Sequence, residues 1–194
     1  MPQIAIISDI HGNLEALEAV LKAIETDGVR YIIHLGDLVG YNANPRECLH
    51  LLQTKRVISI LGNHDHAVLE PDSADNFNVL AFQALSYSIR QLSQQDRQYL
   101  LGMPRTEVLW DRYLICHGSP ESLETYIMNI LQAKRIFRSY PRAACLGQRP
   151  ARKGSRASIF RRPATAGGGA YLPHQPGKRR PAKTKGQSRP LPAV

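Results

Sequence analysis

Ile4-Ala5-Ile6-Ile7-Ser8-Asp9-Ile10-His11-Gly12-Asn13 is the stretch on which the reading of this chain turns. An apolar run closed by a Gly and an Asn predicts a buried strand that ends in a tight turn. In an extended D-x-H the side chains alternate, so Asp9 and His11 are expected to point the same way. A hard oxygen and an imidazole then converge on one cation beyond a strand end. Alone, D-x-H is a weak sign. Its weight comes from two later stretches built the same way.

Working outward, Asn13 is placed to cap a helix with Leu14, Leu17, Leu21 and Ile24 on one face, ending at Asp27-Gly28. Tyr31 to Leu35 reads as a second buried strand, followed by Gly36-Asp37. Strand, helix, strand suggests a βαβ unit. Asn44-Pro45 opens a helix with Cys48, Leu49 and Leu52 inward. Val57 to Leu61 is a third strand, ending in Gly62-Asn63-His64-Asp65. Three successive strands thus end in ligand-rich turns, and such turns meet beyond the carboxyl ends of an α/β sheet.

Further on, Asp75 or Asn76 is expected to cap a helix striped by Phe77, Leu80, Ala81, Ala84, Leu85 and Ile89. Ser93-Gln94-Gln95-Asp96 reads as a capping box with Asp in place of Glu, opening a helix that ends near Gly102. Thr106 to Trp110 and Tyr113 to Cys116 predict a hairpin that delivers His117-Gly118. Residues 122–140 are mostly helical in pattern, and Ala143 to Leu146 suggests one more strand.

Composition divides the chain. Residues 1–146 hold 13 Lys+Arg against 16 Asp+Glu, whereas residues 147–194 hold 12 Lys+Arg and no acid. The same 48 residues carry 7 of the 13 prolines and 7 of the 14 glycines. We read two regions: a domain over 1–146 and a basic, disordered tail over 147–194. Three cysteines, Cys48, Cys116 and Cys145, have no metal-knuckle spacing and no even count for a disulfide framework. No apolar run reaches membrane-spanning length, and the start lacks a basic region like that of a signal peptide. The expected setting is cytoplasmic, with no membrane partner.

The candidate site gathers Asp9, His11, Asp37, Asn63 and His117 as metal ligands, with His64 and Asp65 as catalytic residues. Asp37 follows a Gly and is the natural bridge between two divalent cations, Asp9 and His11 completing one side, Asn63 and His117 the other. Mixed N and O donors suit Mn²⁺ foremost, with Fe, Zn²⁺, Ni²⁺ or Co²⁺ as alternatives, better than Ca²⁺. Two such ions activate a hydroxide for in-line attack on phosphorus. His64 is then free to protonate the leaving oxygen or to bind the phosphoryl group, with Asp65 holding its tautomer. His34 reads as a core histidine, His50 and His174 as surface, and His66 as either substrate-facing or solvent-facing. Tyr41 and Asn42 either line the pocket or pack.

Asp-Ile-His-Gly-Asn, Gly-Asp-Leu-Val-Gly-Tyr and Gly-Asn-His-Asp, in that order and followed by Cys-His-Gly-Ser-Pro, resemble the calcineurin-like metallophosphoesterase superfamily. The fuller segments 36–52 and 62–68 resemble its small prokaryotic subgroup, described as phosphodiesterase-like or diadenosine-tetraphosphatase-like. The likeness covers residues 2 to about 146. It implies a four-layer αββα sandwich, two bound metals, and hydrolysis of phosphate mono- or diesters, nucleotides among them. It also implies a closing Gly-His-x-His motif with one further ligand per metal. Here Gln148 stands where the first of those histidines is expected, and the acid-free regime begins at the same place. We therefore expect a reading-frame change near Gly147, an incomplete second sheet, and weakened metal affinity. Two other functions are open: a remnant that binds metal or nucleotide without turnover, and nucleic-acid binding through the tail.

Overall fold

A computed structural model describes residues 3–140 and 158–161. Strand β1 (Gln3–Ile7) pairs in parallel with β2 (Tyr31–His34), Ile4 opposite Tyr31 and Ile7 opposite His34. β2 pairs in parallel with β3 (Ile58–Ser59). Helix α1 (Leu14–Thr26) crosses from β1 to β2, and α2 (Pro45–Thr54) from β2 to β3. The Asn13 side chain caps α1 by accepting from Ala16 N at 3.1 Å. Leu17, Leu21 and Ile24 are the buried positions of α1, the 3.6-residue stripe expected.

Alternation along β1 builds two cores. Ala5 and Ile7 face the helices, packed with Leu17, Leu21, Leu49 and Leu52. Ile4 and Ile6 face the other way, toward Ile33, Ile60, Leu109 and Ile115. Leu109 and Ile115 belong to a hairpin of β4 (Thr106–Leu109) and β5 (Tyr113–Cys116), antiparallel with Thr106 opposite Cys116. Helices, a first sheet of order β3-β2-β1-β6, and a second sheet of order β4-β5 therefore stack in sequence. This is the α/β sandwich expected of the αββα class, its second sheet two-stranded among the described residues. Burial on both faces explains why β1 and β2 read as continuous apolar runs. His34 lies fully buried in β2, and Cys48 and Cys116 are buried as well.

Several elements differ from expectation. Gly62-Asn63-His64-Asp65 is the start of a helix, α3 (Asn63–Leu69), with Gly62 as its cap, rather than a turn. A 3-10 turn spans Pro71–Ala74, and α4 (Val79–Gln91) is capped by Asn78, not Asp75 or Asn76. Ala81, Leu85 and Ser88 are its buried positions, while Leu80 is exposed. Helix α5 (Gln94–Leu101) carries the capping box read from Ser93 and Asp96 and ends at Gly102. The last helix, α6 (Ile130–Ser139), covers only the end of the expected segment 122–140, where Asn129 supplies the cap.

One strand falls inside the stretch expected to be disordered. β6 (Ser158–Arg161) pairs antiparallel with β1, Gln3 opposite Arg161. An uncovered strand edge offers a row of N–H and C=O groups, and four residues are too few to display a period. The strand expected at Ala143 to Leu146, Cys145, Gln148, His174 and the rest of the tail lie outside the described residues.

Candidate metal centre

The loops that follow β1 and β2 run side by side, joined through their main chains. Asp9 N donates to Gly36 O at 3.1 Å, His11 N to Asp37 O at 2.9 Å, and Gly12 N to Leu38 O at 2.8 Å. The D-x-H is not extended. Asp9, His11 and Asp37 adopt left-handed φ of 57°, 49° and 59°. Asp and His are among the non-glycine residues that tolerate this region, and backbone held there clusters at functional sites. Asp9 and His11 thus share a direction because the turn coils, not because a strand alternates.

Gly36 and Gly62 let the three loops close up. A Cβ at Gly36 would lie 2.7 Å from Gly62 Cα and 2.9 Å from His117 Nδ1; one at Gly62 would lie 2.2 Å from Asp37 N and Oδ1. Gly36 thus serves the approach of loop to loop. α3 then begins with its first N–H groups toward Asp37: His64 N donates to Asp37 Oδ1 at 3.0 Å, leaving Oδ2 to face the site.

Two imidazoles converge on that oxygen. His11 Nε2 lies 3.7 Å from Asp37 Oδ2 and 3.7 Å from Asp9 Oδ1. His117 Nε2, from the end of β5, lies 3.5 Å from Asp37 Oδ2 and 3.0 Å from Asn63 Oδ1. All five expected ligand residues are therefore brought together, with Asp37 in the middle. The far nitrogen of each ring meets a backbone carbonyl: His11 Nδ1 donates to Val39 O at 3.1 Å, and His117 Nδ1 to Leu35 O at 2.7 Å. A carbonyl only accepts, so both Nδ1 atoms carry a proton and both Nε2 atoms face the shared space, His117 Nε2 within hydrogen-bond distance of the Asn63 amide oxygen. These carbonyl partners are main-chain groups, which no reading of residue types reveals.

His64 lies against His11, ring centroids 4.8 Å apart, and against Phe77 at 4.5 Å. His11, Asp37 and His64 each offer a ligand atom, all within 4.8 Å of one another, which adds His64 to the candidates for holding a cation. Burial and the neighbouring His11 and His117 push His64 down to about 3, and its buried Nδ1 has no hydrogen-bond partner among the described residues. Burial, then the charges of Asp65 and Asp9, raises Asp37 well above the usual carboxylate range. Asp65 does not hold His64. Its Oδ1 accepts from Leu38 N at 2.9 Å and Val39 N at 3.0 Å, and its Oδ2 from Gly62 N at 3.0 Å. Adjacent residues on a helix point different ways, so Asp65 ties α3 to the Asp37 loop instead. His66 meets Arg105 Nη2 at 2.7 Å, and His50 is exposed, as expected, and pairs with Asp96 at 2.8 Å.

A layered α/β sandwich here gathers carboxylates, imidazoles and an amide on neighbouring loops, a donor set suited to metal ions. The chain belongs to the calcineurin-like phosphoesterase family, whose model matches residues 2–160. It is 37% identical over 126 residues to an uncharacterized protein of Methanocaldococcus jannaschii, covering 63% of this chain and 52% of that one. A metallophosphoesterase from Sphaerobacter thermophilus superposes with TM-score 0.63 at 38% identity, over 75% of this chain and 59% of that one. A hypothetical protein of Pyrococcus horikoshii shares the fold, with TM-score 0.65 at 22% identity, over 72% and 66% of the two chains. The chain thus spans 52% of the curated relative and 59% of the Sphaerobacter protein. Among the described residues no helix is long and apolar enough to cross a membrane.

Proposed function

We propose that this chain hydrolyses phosphate esters with divalent cations held by Asp9, His11, Asp37, Asn63 and His117. The observation that carries the reading is Asp37 Oδ2, 3.7 Å from His11 Nε2 and 3.5 Å from His117 Nε2. A buried carboxylate raised by burial and by like charges, facing two imidazole nitrogens, fits a cation: one shared positive charge satisfies every ligand atom. Asn63 Oδ1 and His117 Nε2, hydrogen-bonded to each other at 3.0 Å, are close enough to turn their lone pairs to one cation in place of that bond. The set splits into Asp9 with His11 and Asn63 with His117 around Asp37, which supports two ions, and its mixed N/O character supports Mn²⁺. Such ions would supply an activated water and polarise the phosphoryl group.

The chain's own residues do the rest. Asp65 and the Val39 and Leu35 carbonyls fix the loops and ring tautomers before substrate arrives. The low value of His64 supports a neutral imidazole that hydrogen-bonds a phosphoryl oxygen, rather than an imidazolium acid. Small phosphate esters, nucleotides included, are the substrate class that follows. The assay is bis-p-nitrophenyl phosphate with added Mn²⁺, Fe²⁺, Zn²⁺, Ni²⁺ or Co²⁺ in turn. Turnover that Asp37→Asn abolishes is the expected result. Metal bound without turnover would instead establish a non-hydrolytic remnant, the second reading, favoured by Gln148 where the family carries a histidine.

A further inference from the structure

One exposed aromatic at the rim of the centre is not used by the hydrolytic machinery. Tyr41 follows the Asp37 loop with a left-handed φ of 49° and is 48% exposed. Its ring lies 4.8 Å from the His11 ring, edge-on, and 5.0 Å from the His64 ring. The segment that carries it is tied down on both sides. Asn42 donates to His11 O through both its main chain, at 3.0 Å, and its Nδ2, at 2.9 Å. Asn44 N donates to Gly12 O at 3.0 Å, and the Tyr87 hydroxyl to Ala43 O at 2.9 Å.

A tyrosine that merely filled space would be buried in an ordinary backbone conformation. Here a large ring is held in the left-handed region, which bulky residues rarely adopt, with about half of its area open beside the donor cluster. A fixed, half-open ring next to a phosphate-sized site is a surface for a planar group, because every nucleobase or aryl ring has a face to stack. Resting on the phosphoesterase reading above, we propose that Tyr41 is a stacking platform for the organic part of the substrate, selecting phosphoesters of nucleosides or aryl alcohols over those of sugars and aliphatic alcohols.

The test is calorimetric, on the full chain loaded with Mn²⁺. Adenosine 5′-monophosphate and ribose 5-phosphate carry the same ester and differ at C1, which bears adenine in one and a hydroxyl in the other. The unmodified protein is expected to bind the nucleotide on the order of tenfold more tightly. Tyr41→Phe is expected to keep that ratio and Tyr41→Ala to bring it close to one, with circular dichroism showing both variants folded. The ratio cancels any common loss at the centre. Equal affinities in the unmodified protein, or a ratio that survives Tyr41→Ala, overturn the platform while leaving phosphoesterase chemistry standing. If neither phosphate binds the loaded protein, both readings are overturned.

Discussion

Gly62 has no room for a β-carbon, since one would sit 2.2 Å from Asp37 N and Oδ1. Gly62→Ala is therefore expected to push the Asp37 loop off α3, cost about 1–3 kcal/mol by urea denaturation, and abolish cation binding together with activity. Asp65 makes the opposite kind of case. Asp65→Asn keeps the shape but turns an NH₂ toward a backbone N–H now satisfied by a carboxylate oxygen. We expect a loss of about 1–3 kcal/mol, read by the same method, because a buried polar group is left facing its own kind. At this scale the sequence was a good guide to identity and a poor one to geometry. Asp9, His11, Asp37, Asn63 and His117 all reach one place, yet through left-handed turns and a helix cap rather than through strand alternation. The error over Asp65 has the same origin: adjacency along the chain says little about adjacency in space on a helix.

Among the elements, those with a local chemical signature were legible. The Asn13 cap, the Ser93–Asp96 box and the hairpin around Trp110 and Asp111 are each fixed by a few neighbouring residues. Elements decided by packing were not: α3 is short and begins with ligand residues, and α4 takes its start from Asn78, three residues after the first candidate cap at Asp75. Ser93→Ala should lower stability by about 1 kcal/mol, seen in the thermal midpoint, by removing the acceptor for Asp96 N. β2 brings a pH dependence. Burial, then the nearby His117 charge, pushes His34 down to about 3 from an ordinary 6.5, against a smaller upward pull from Gly36. The unfolded chain therefore binds more protons between these values, so His34 leaves stability whole above about pH 6.5 and erodes it as pH falls toward 3. A His34→Leu variant should show a flatter fall of its urea midpoint across that window than the unmodified protein.

For the molecule as a whole, saturating Mn²⁺ should raise the melting temperature by mass action, about 2.7 kcal/mol at a hundredfold excess over Kd, and Asp37→Asn should erase the shift. Apolar surface is left open on two helices, at Val79 and Leu80 of α4 and at Ile130 and Leu131 of α6. Residues 147–194, with 12 Lys+Arg and no acid, raise the idea of a reading-frame change near Gly147, against which stand the family match to residue 160 and the pairing of β6 with β1. Sequencing the locus tests it: a Gly-His-x-His in an adjacent frame is the expected outcome, and its absence refutes the idea. The regime change was visible in composition alone, whereas β6 was not, because its partner edge exists only once β1 is in place. The loops of the centre are stitched to one another through main-chain bonds, Asp9 to Gly36, His11 to Asp37 and Gly12 to Leu38. A scaffold fastened that way stays standing when a chelator strips it. Reloading in a stopped-flow mixer should then run at the speed of encounter, in a single phase with no refolding lag.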